Sequence, residues 1–451
     1  MKLSSSILIA LVSLACARPM SGAERPRYGG TLHIAIEESP QSLDPAQADS
    51  PALRSLNRLV FENLVRLDDR GRLRPSLAVS WQGDPGDQRW RFEVRRGVTF
   101  SDGTPLDAAA VAASVRAANP QWKVVALEDL VMIESDARDR NLPAELALSR
   151  NSIVRRDNGR ATGTGLYTLA KFDAAGKRFT LAANDQYWAG RPFLDSIEVD
   201  FGKSYRDQMM LLELGKSDLI ELGPEEIHPA QSSNRTVASS LPQELMCLVF
   251  SRESQSDAET HLRNALARSI DSSALANVVF QGGGEPTGAL VPNWLSGYGF
   301  VFAPETAAGN GQGRAPDARV PWTLGYDAWD PAAHLVADRI LLNARDAGIK
   351  LETRSSGNAD LRLARLSLPS LAPQVALSEL ARELHLPLPA FDDPSIRALY
   401  SAENALLKTQ RVIPLVHLRS AAAISPMVQA VTLGRDGGWD LEDTWLRAGH
   451  P

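Results

Sequence analysis

Residues 88–118 read QRWRFEVRRGVTFSDGTPLDAAAVAASVRAA, a stretch that combines a strand pattern, two turns and a helix pattern. From Trp90 to Val94, apolar and polar side chains alternate, which is typical of a strand with one buried face. Arg96-Gly97 can turn the chain, so we expect residues 98–100 to run back beside this strand. The stretch therefore predicts a β-hairpin that leads into a helix.

The helix of this stretch follows the turn Ser101-Asp102-Gly103. We expect Thr104 to cap it, because a hydroxyl oxygen there can accept a hydrogen bond from the first turn. Pro105 would occupy the first helical position, and Asp107 follows three residues after the cap, where an acidic side chain favours a helix start. The side chains expected on the inner face are those of Leu106, Ala110, Val111 and Val115.

Length and composition describe a globular protein of several domains. The chain has 451 residues, more than one hydrophobic core normally organises, so we expect two or three domains. It contains 44% apolar and 23% charged residues, which is ordinary for a globular protein. Its formal net charge of -6 argues against nucleic-acid binding, and no cluster of basic residues favours a charged membrane surface.

The N-terminus has the pattern of an export signal. An apolar run from residue 7 to residue 15 is too short to span a bilayer but suits a secretory signal, so we assign residues 1–23 to a signal segment. Leu14-Ala15-Cys16 resembles the lipobox of bacterial lipoproteins, with Ser13 where that motif more often has Leu. Lipid anchoring through Cys16 and cleavage with free release are the two alternatives.

The sequence lacks the residue patterns of an enzyme active site. Its seven histidines show no pair at metal-ligand spacing, and neither His-Glu-x-x-His nor Gly-x-Ser-x-Gly occurs. Apart from Cys16 the chain contains one cysteine, Cys247, whose apolar neighbours predict a buried, inert thiol. We therefore expect no catalysis, no metal and no other cofactor.

Residues 91–115, RFEVRRGVTFSDGTPLDAAAVAASV, resemble the signature of the family 5 extracellular solute-binding proteins, the peptide- and nickel-type binding components of ABC transporters. Gly163-Thr164-Gly165-Leu166-Tyr167 is similar to the Gly-Thr-Gly-Pro-Tyr of that family, and residues 184–190 to its Asn-x-x-Tyr-Trp-x-Gly. Residues 438–445 match its closing tryptophan segment. We expect Gly163 and Gly165 to adopt positive φ angles where the chain crosses between domains.

This resemblance implies an α/β fold with two lobes, the class II periplasmic-binding-protein fold of the peptide-binding type with an extra small domain. Lobe closure around a ligand is the motion that such a fold implies. The expected division of the chain is domain I from residues 24–66, 163–244 and 412–451, an abbreviated domain II from residues 67–162, and domain III from residues 245–411.

The function that the resemblance implies is that of the substrate-binding component of an ABC importer. Such a protein captures a small solute or a peptide and delivers it to a membrane permease with its ATPase. We expect a monomer in the periplasm, or otherwise outside the cytoplasm, that touches the membrane only through a lipid anchor. The alternative is a ligand-sensing receptor subunit that presents the bound solute to a membrane signalling partner.

Five residues are candidates for ligand contact. Glu38 and Ser39 belong to a loop that lies beside the cleft in the family, and Trp294, Tyr298 and Arg365 are further candidates for lining it. Peptide-binding relatives carry an acidic residue that holds the ammonium group of the peptide, in an aromatic-x-x-Asp-Tyr-x-Asp-Pro passage. The equivalent residues 361–380 contain no aspartate and no aromatic residue. The ligand therefore stays open between a peptide, an opine, a sugar and a nickel complex.

Overall fold

The computed structural model describes residues 25–47, 50–157, 160–299, 321–328, 330–354 and 358–447. Cys16 and the expected signal segment 1–23 lie outside these ranges, so the two alternatives for the N-terminus stay predictions. Within these ranges, no helix combines the length and the apolar composition that crossing a bilayer requires.

One large mixed sheet runs through both lobes. Its strands lie side by side in an order that departs from chain order, because the chain crosses between the lobes more than once. The strands are β1 (Thr31–Ala35), β10 (Tyr167–Asp173), β11 (Arg178–Ala183), β12 (Ser196–Asp200), β13 (Leu219–Leu222), β14 (Thr236–Phe250), β15 (Gly284–Pro286), β16 (Trp322–Gly325), β17 (Leu351–Arg354), β18 (Leu361–Leu366) and β19 (Val412–Ile424). Their spatial order is β10, β11, β12, β1, β13, β19, β14, β18, β16, β17, and β15 pairs with β19.

A separate small sheet belongs to the first lobe. It has four antiparallel strands in the order β4, β5, β7, β6, and short two-stranded pairings surround it and the end of the chain. The remaining strands are β2 (Val65–Leu67), β3 (Leu73–Pro75), β4 (Ala78–Gly83), β5 (Arg89–Val94), β6 (Lys123–Leu127), β7 (Leu130–Glu134), β8 (Arg155–Asp157), β9 (Arg160–Thr162), β20 (Val428–Gln429), β21 (Thr432–Leu433), β22 (Trp439–Asp440) and β23 (Trp445–Leu446).

Helices cover the faces of these sheets. The described α-helices are α1 (Pro51–Val60), α2 (Ala108–Ala118), α3 (Leu142–Glu145), α4 (Tyr205–Glu213), α5 (Ile227–Ser232), α6 (Asp257–Ser269), α7 (Ser272–Ala274), α8 (Asn293–Ser296), α9 (Pro331–Asp346), α10 (Pro373–Glu383) and α11 (Ile396–Lys408). In the first lobe, α1 packs on the large sheet and α2 on the small one. In the second lobe, α6 and α9 pack on one face of the large sheet, and α10 and α11 on the other.

The opening stretch folds as a strand and a helix, but the hairpin predicted between them is wrong. Strand β5 pairs with β4 and β7. Val98 instead accepts a hydrogen bond from the backbone of Leu106, at 2.9 Å. The helix also begins later than predicted, because the cap is Asp107, whose side chain accepts from the backbone of Ala110 at 2.8 Å. Asp102 holds the backbone N–H of Thr104 in a turn, at 2.9 Å, which keeps that residue out of the helix.

Two long antiparallel strands, β14 and β19, connect the lobes. Their ladder is interrupted by register shifts between Ser239 and Glu244, where the backbone N–H of Ser420 donates to the side chain of Ser240 at 3.1 Å. Such irregularities bend a strand pair locally. Residues 412–418 pack in the second-lobe core, so we place this crossing near residue 419 rather than at 412.

Gly163 and Gly165 lie in the segment that leads the chain from the small sheet back to the large one. Neither has the positive φ that we predicted for this crossing. Glycine is required for space instead. A Cβ at Gly163 would lie 1.9 Å from the carbonyl oxygen of Val60, and one at Gly165 would lie 2.3 Å from that of Leu59. The segment therefore lies directly against the last turn of α1.

Candidate ligand-binding cleft

A cavity of about 960 Å³ lies between the two lobes. The loop after β1 and the start of α1 form its first-lobe wall, and β18 and the start of α9 form its second-lobe wall. The connecting strands β14 and β19 contribute Glu244 and Arg419 near their register shifts. The cavity therefore borders the segment about which the lobes would move.

Many ionisable side chains line this cavity, and carboxylates outnumber guanidinium groups. The acidic lining residues are Glu37, Glu38, Glu221, Glu244, Asp327, Asp330, Glu379 and Glu383, and the basic ones are Arg54, Arg150, Arg362, Arg365 and Arg419. The wall is thus built for a polar ligand, and its charge balance is negative.

Arg365 is held on the second-lobe wall by two carboxylates. Its guanidinium group donates to Glu244 at 2.8 Å and lies 3.6 Å from Asp330, the residue that caps α9. The side chain of Arg365 is 24% exposed and that of Glu244 is 12% exposed. An ion pair with so little solvent contact is stable only while both members are present.

Glu37 and Glu221 lie together on the first-lobe wall. The backbone N–H of Glu37 donates to the Glu221 carboxylate at 2.6 Å, and the backbone N–H of Glu221 donates to Gln208 at 2.9 Å. Burial raises the pKa of Glu221 to about 7, and the nearby charges of Glu37 and Glu38 add to the rise. Partial desolvation likewise raises the pKa of Glu37, although the residue as a whole is exposed, against the hydrogen bond that Tyr205 donates to it.

The pKa of Glu221 predicts a stability that falls as pH rises. The folded state keeps this proton up to about pH 7, whereas an unfolded chain releases it near pH 4.5. The free energy of unfolding therefore decreases as pH rises between these two values. The slope from one such group is at most about 1.4 kcal/mol per pH unit. Burial raises the pKa of Glu145 to about 7 as well, so Glu221→Gln should remove only part of the slope.

Urea unfolding of the wild type and of Glu221→Gln, at intervals from pH 4.5 to pH 7.5, measures this effect. Glu253→Gln, which removes an exposed carboxylate, is the matched control. Identical pH profiles for the wild type and Glu221→Gln would contradict the assignment of a partly buried, protonated Glu221.

The sequence model of the bacterial extracellular solute-binding proteins, family 5, middle part, matches residues 72–136 and 147–367. The chain belongs to family 5. This family 5 chain is 23% identical over 274 residues to the nickel-binding protein NikA of Staphylococcus aureus, an alignment that covers 57% of the chain and 55% of NikA. The family places the protein among extracytoplasmic binding proteins with a substrate-binding role.

Solved structures show the same two-lobed α/β fold. The oligopeptide-binding protein AppA of Bacillus subtilis, in complex with a nonapeptide, has a TM-score of 0.78 at 16% identity and covers 94% of this chain and 100% of its own. AgaA of A. tumefaciens R10, in complex with agropinic acid, has a TM-score of 0.77 at 18% identity and covers 93% of this chain and 99% of its own. These family 5 structures are binding proteins rather than enzymes, and they support the predicted fold class.

The candidate ligand contacts of this family 5 chain fall into two groups. Glu38 and Arg365 line the cavity, on opposite walls. Ser39 is exposed in the same loop as Glu38, but it is not among the lining residues. Trp294 donates its indole N–H to the carbonyl oxygen of Pro242 at 2.7 Å, and Tyr298 donates to Glu403 at 2.5 Å. Tyr298 thus packs within the second lobe, whereas Trp294 is bound to the connecting strand β14 and packs in a cluster that includes Leu67 of the first lobe. Ligand contact by any of the five stays a prediction.

Sequence reasoning missed seven of the eight lining carboxylates, and those of Glu37, Glu221 and Glu244 show why. Glu37 directly precedes a residue that was predicted. Glu244 carried a usable signal, because a charged side chain stands there at the start of the apolar run from 245 to 250. Glu221 carried none, since an alternating strand normally exposes every second side chain.

Proposed function

We propose that this protein is the substrate-binding component of an ABC importer that works outside the cytoplasm. It captures a small solute by closure of its two lobes and delivers it to a membrane permease with its ATPase. The observation that carries the proposal is the polar cavity between two lobes that the strands β14 and β19 connect. A signal segment at residues 1–23, with Cys16 as a lipid anchor or removed, would bring the protein to that compartment.

Closure follows from the placement of the cavity. Its walls come from both lobes, so a ligand that fills it makes contacts with both only when the lobes are together. Binding therefore shifts the population toward the closed form by the free energy of those additional contacts. The permease then needs to recognise only the closed surface.

Contacts between the lobes already stabilise this arrangement. Arg150 of the first lobe forms an ion pair with Glu379 of α10, which also pairs with Arg382. Leu148 packs beside Val375, and Asn141 donates to Gln374 at 3.1 Å. The carboxylate of Glu379 is only 9% exposed, so its pairing is poorly screened by water.

Arg150→Gln is expected to favour the open form. It removes the interlobe ion pair but leaves Glu379 paired with Arg382, so no buried charge loses every partner. A loss of about 1 kcal/mol between the lobes would raise the ratio of open to closed molecules about fivefold. Small-angle X-ray scattering of the ligand-free protein measures the resulting increase in radius of gyration.

Arg138→Gln is the matched control, because Arg138 pairs with Asp87 within the first lobe. The control should scatter like the wild type. If Arg150→Gln also scatters like the wild type, the ion pair does not contribute to closure.

A thermal-shift screen tests the proposed function directly. The panel contains di- to pentapeptides, opines, sugars and nickel–histidine complexes, and each hit is then measured by scattering and recovered for mass spectrometry. A ligand at 100 times its Kd should add about 2.7 kcal/mol of stability. The proposal expects a hit that compacts the protein and is recovered unchanged. A panel without hits, or a hit that is chemically converted, would overturn it.

A further inference from the structure

Most arginines of the cavity already form ion pairs with carboxylates of the protein. Arg365 is paired with both Glu244 and Asp330, Arg150 pairs with Glu379, and Arg419 lies 3.1 Å from the carboxylate of Glu285. A guanidinium group that already binds a carboxylate gains little from a second one on the ligand. The cavity is thus poorly equipped to hold an anionic group.

Two other cavity arginines do not change this balance. Arg54 is buried and donates to the carbonyl oxygen of Leu368 at 3.2 Å. Arg362 is exposed, so water and salt screen its charge. Neither presents a dry, free guanidinium group to a ligand carboxylate.

The first-lobe carboxylates are arranged differently. Among the described residues, neither Glu37 nor Glu221 forms an ion pair with an arginine or a lysine, and the hydrogen bonds that they accept come from neutral groups, namely a backbone N–H, the phenol of Tyr205 and the amide of Gln208. Among the described residues, these two carboxyl groups of the first-lobe wall thus lack an ion-pair partner, and a bound cation would offset the raised pKa of Glu221 and displace its proton.

We infer that the solute carries a positively charged amine or guanidinium group, which binds Glu37 and Glu221, and that it carries no free carboxylate. This inference rests on the proposed function, since it names the class of ligand for the same cavity. An ammonium group can take the place of the missing cation on the first-lobe wall, whereas a ligand carboxylate would meet Arg150, Arg365 and Arg419 already paired with carboxylates. The ligand is thus an organic cation and not a zwitterionic peptide.

Three pairs of compounds that differ at a carboxylate test the inference. They are agmatine and arginine, cadaverine and lysine, and a dipeptide amide and the same dipeptide as free acid. Each is titrated into the full mature protein by calorimetry after a thermal-shift screen that includes neutral sugars. We expect at least one amine to bind, and the carboxylate-free member of its pair to bind at least about tenfold more tightly.

Substitutions of the two glutamates test whether they cause this preference for amines. Glu37→Gln and Glu221→Gln should each lower the affinity for the amine about tenfold, whereas Glu253→Gln, on the exposed surface of the second lobe, should leave it unchanged. Glu37 is itself exposed, so its variant is informative even if Glu221→Gln does not fold.

The outcomes separate this inference from the proposed function. If the cavity binds a sugar, a zwitterion or an anion in preference to every amine, the inference is wrong and the proposed function stands. If amines bind but neither glutamate variant affects them, the assigned contacts are wrong. If no compound of any class binds, both proposals fail.

Discussion

Gly163→Ala is expected to lower the free energy of unfolding by about 3 kcal/mol or more. The Cβ that it adds would lie 1.9 Å from the carbonyl oxygen of Val60 and 2.7 Å from the ring of Phe61, both in the buried end of α1. The carbonyl of Val60 accepts a hydrogen bond from the backbone N–H of Gly165 at 3.0 Å, and the carbonyl of Gly163 accepts one from the backbone N–H of Ser101 at 2.9 Å. These bonds hold both segments in place, so neither can move freely to relieve the clash. The clash must therefore displace the chain where it returns from the small sheet.

Urea unfolding measures this loss, and Gly299→Ala is the control. A Cβ at Gly299 meets no atom of the described part of the chain within 4 Å, and its φ is not positive, so that variant should unfold like the wild type. A change below about 1 kcal/mol in Gly163→Ala would show that the return segment is not packed against α1 as described.

Arg365→Met is expected to destabilise the protein by about 3 kcal/mol, because it leaves Glu244 without the guanidinium group that it binds at 2.8 Å. Glu244 is mostly buried and lies on β14, next to the register shifts that interrupt the connecting strands. An uncompensated carboxylate at this point disfavours the folded state. The double variant Arg365→Met/Glu244→Gln removes both charges and should recover most of the loss.

The comparison of the two variants by urea unfolding decides whether the pair acts as a unit. Equal destabilisation of the single and the double variant would mean that Arg365 contributes through packing of its aliphatic part and not through the ion pair. Ligand titrations of the double variant are informative as well. If Arg365 serves only to hold Glu244 and Asp330, the affinity for a cationic ligand should fall by less than in Glu37→Gln.

The sequence by itself determined the fold class and the lack of an enzyme motif. The segment 91–115 is long and specific enough to identify the family, and the alternation of Trp90 to Val94 correctly predicted a strand. These features depend on neighbours within a few residues, which the sequence shows directly.

Only the tertiary structure decided which residues share the cavity. Glu37, Glu221, Glu244 and Arg365 are far apart along the chain, and they meet because the long strands β14 and β19 join two lobes around one cleft. Trp294 and Tyr298 resembled ligand contacts in the sequence, yet Trp294 donates to Pro242 of β14 and Tyr298 to Glu403, and neither is among the lining residues of the cavity. The sequence likewise could not show why glycine is required at position 163, because the close approach to Val60 depends on packing between distant segments and not on the local backbone conformation.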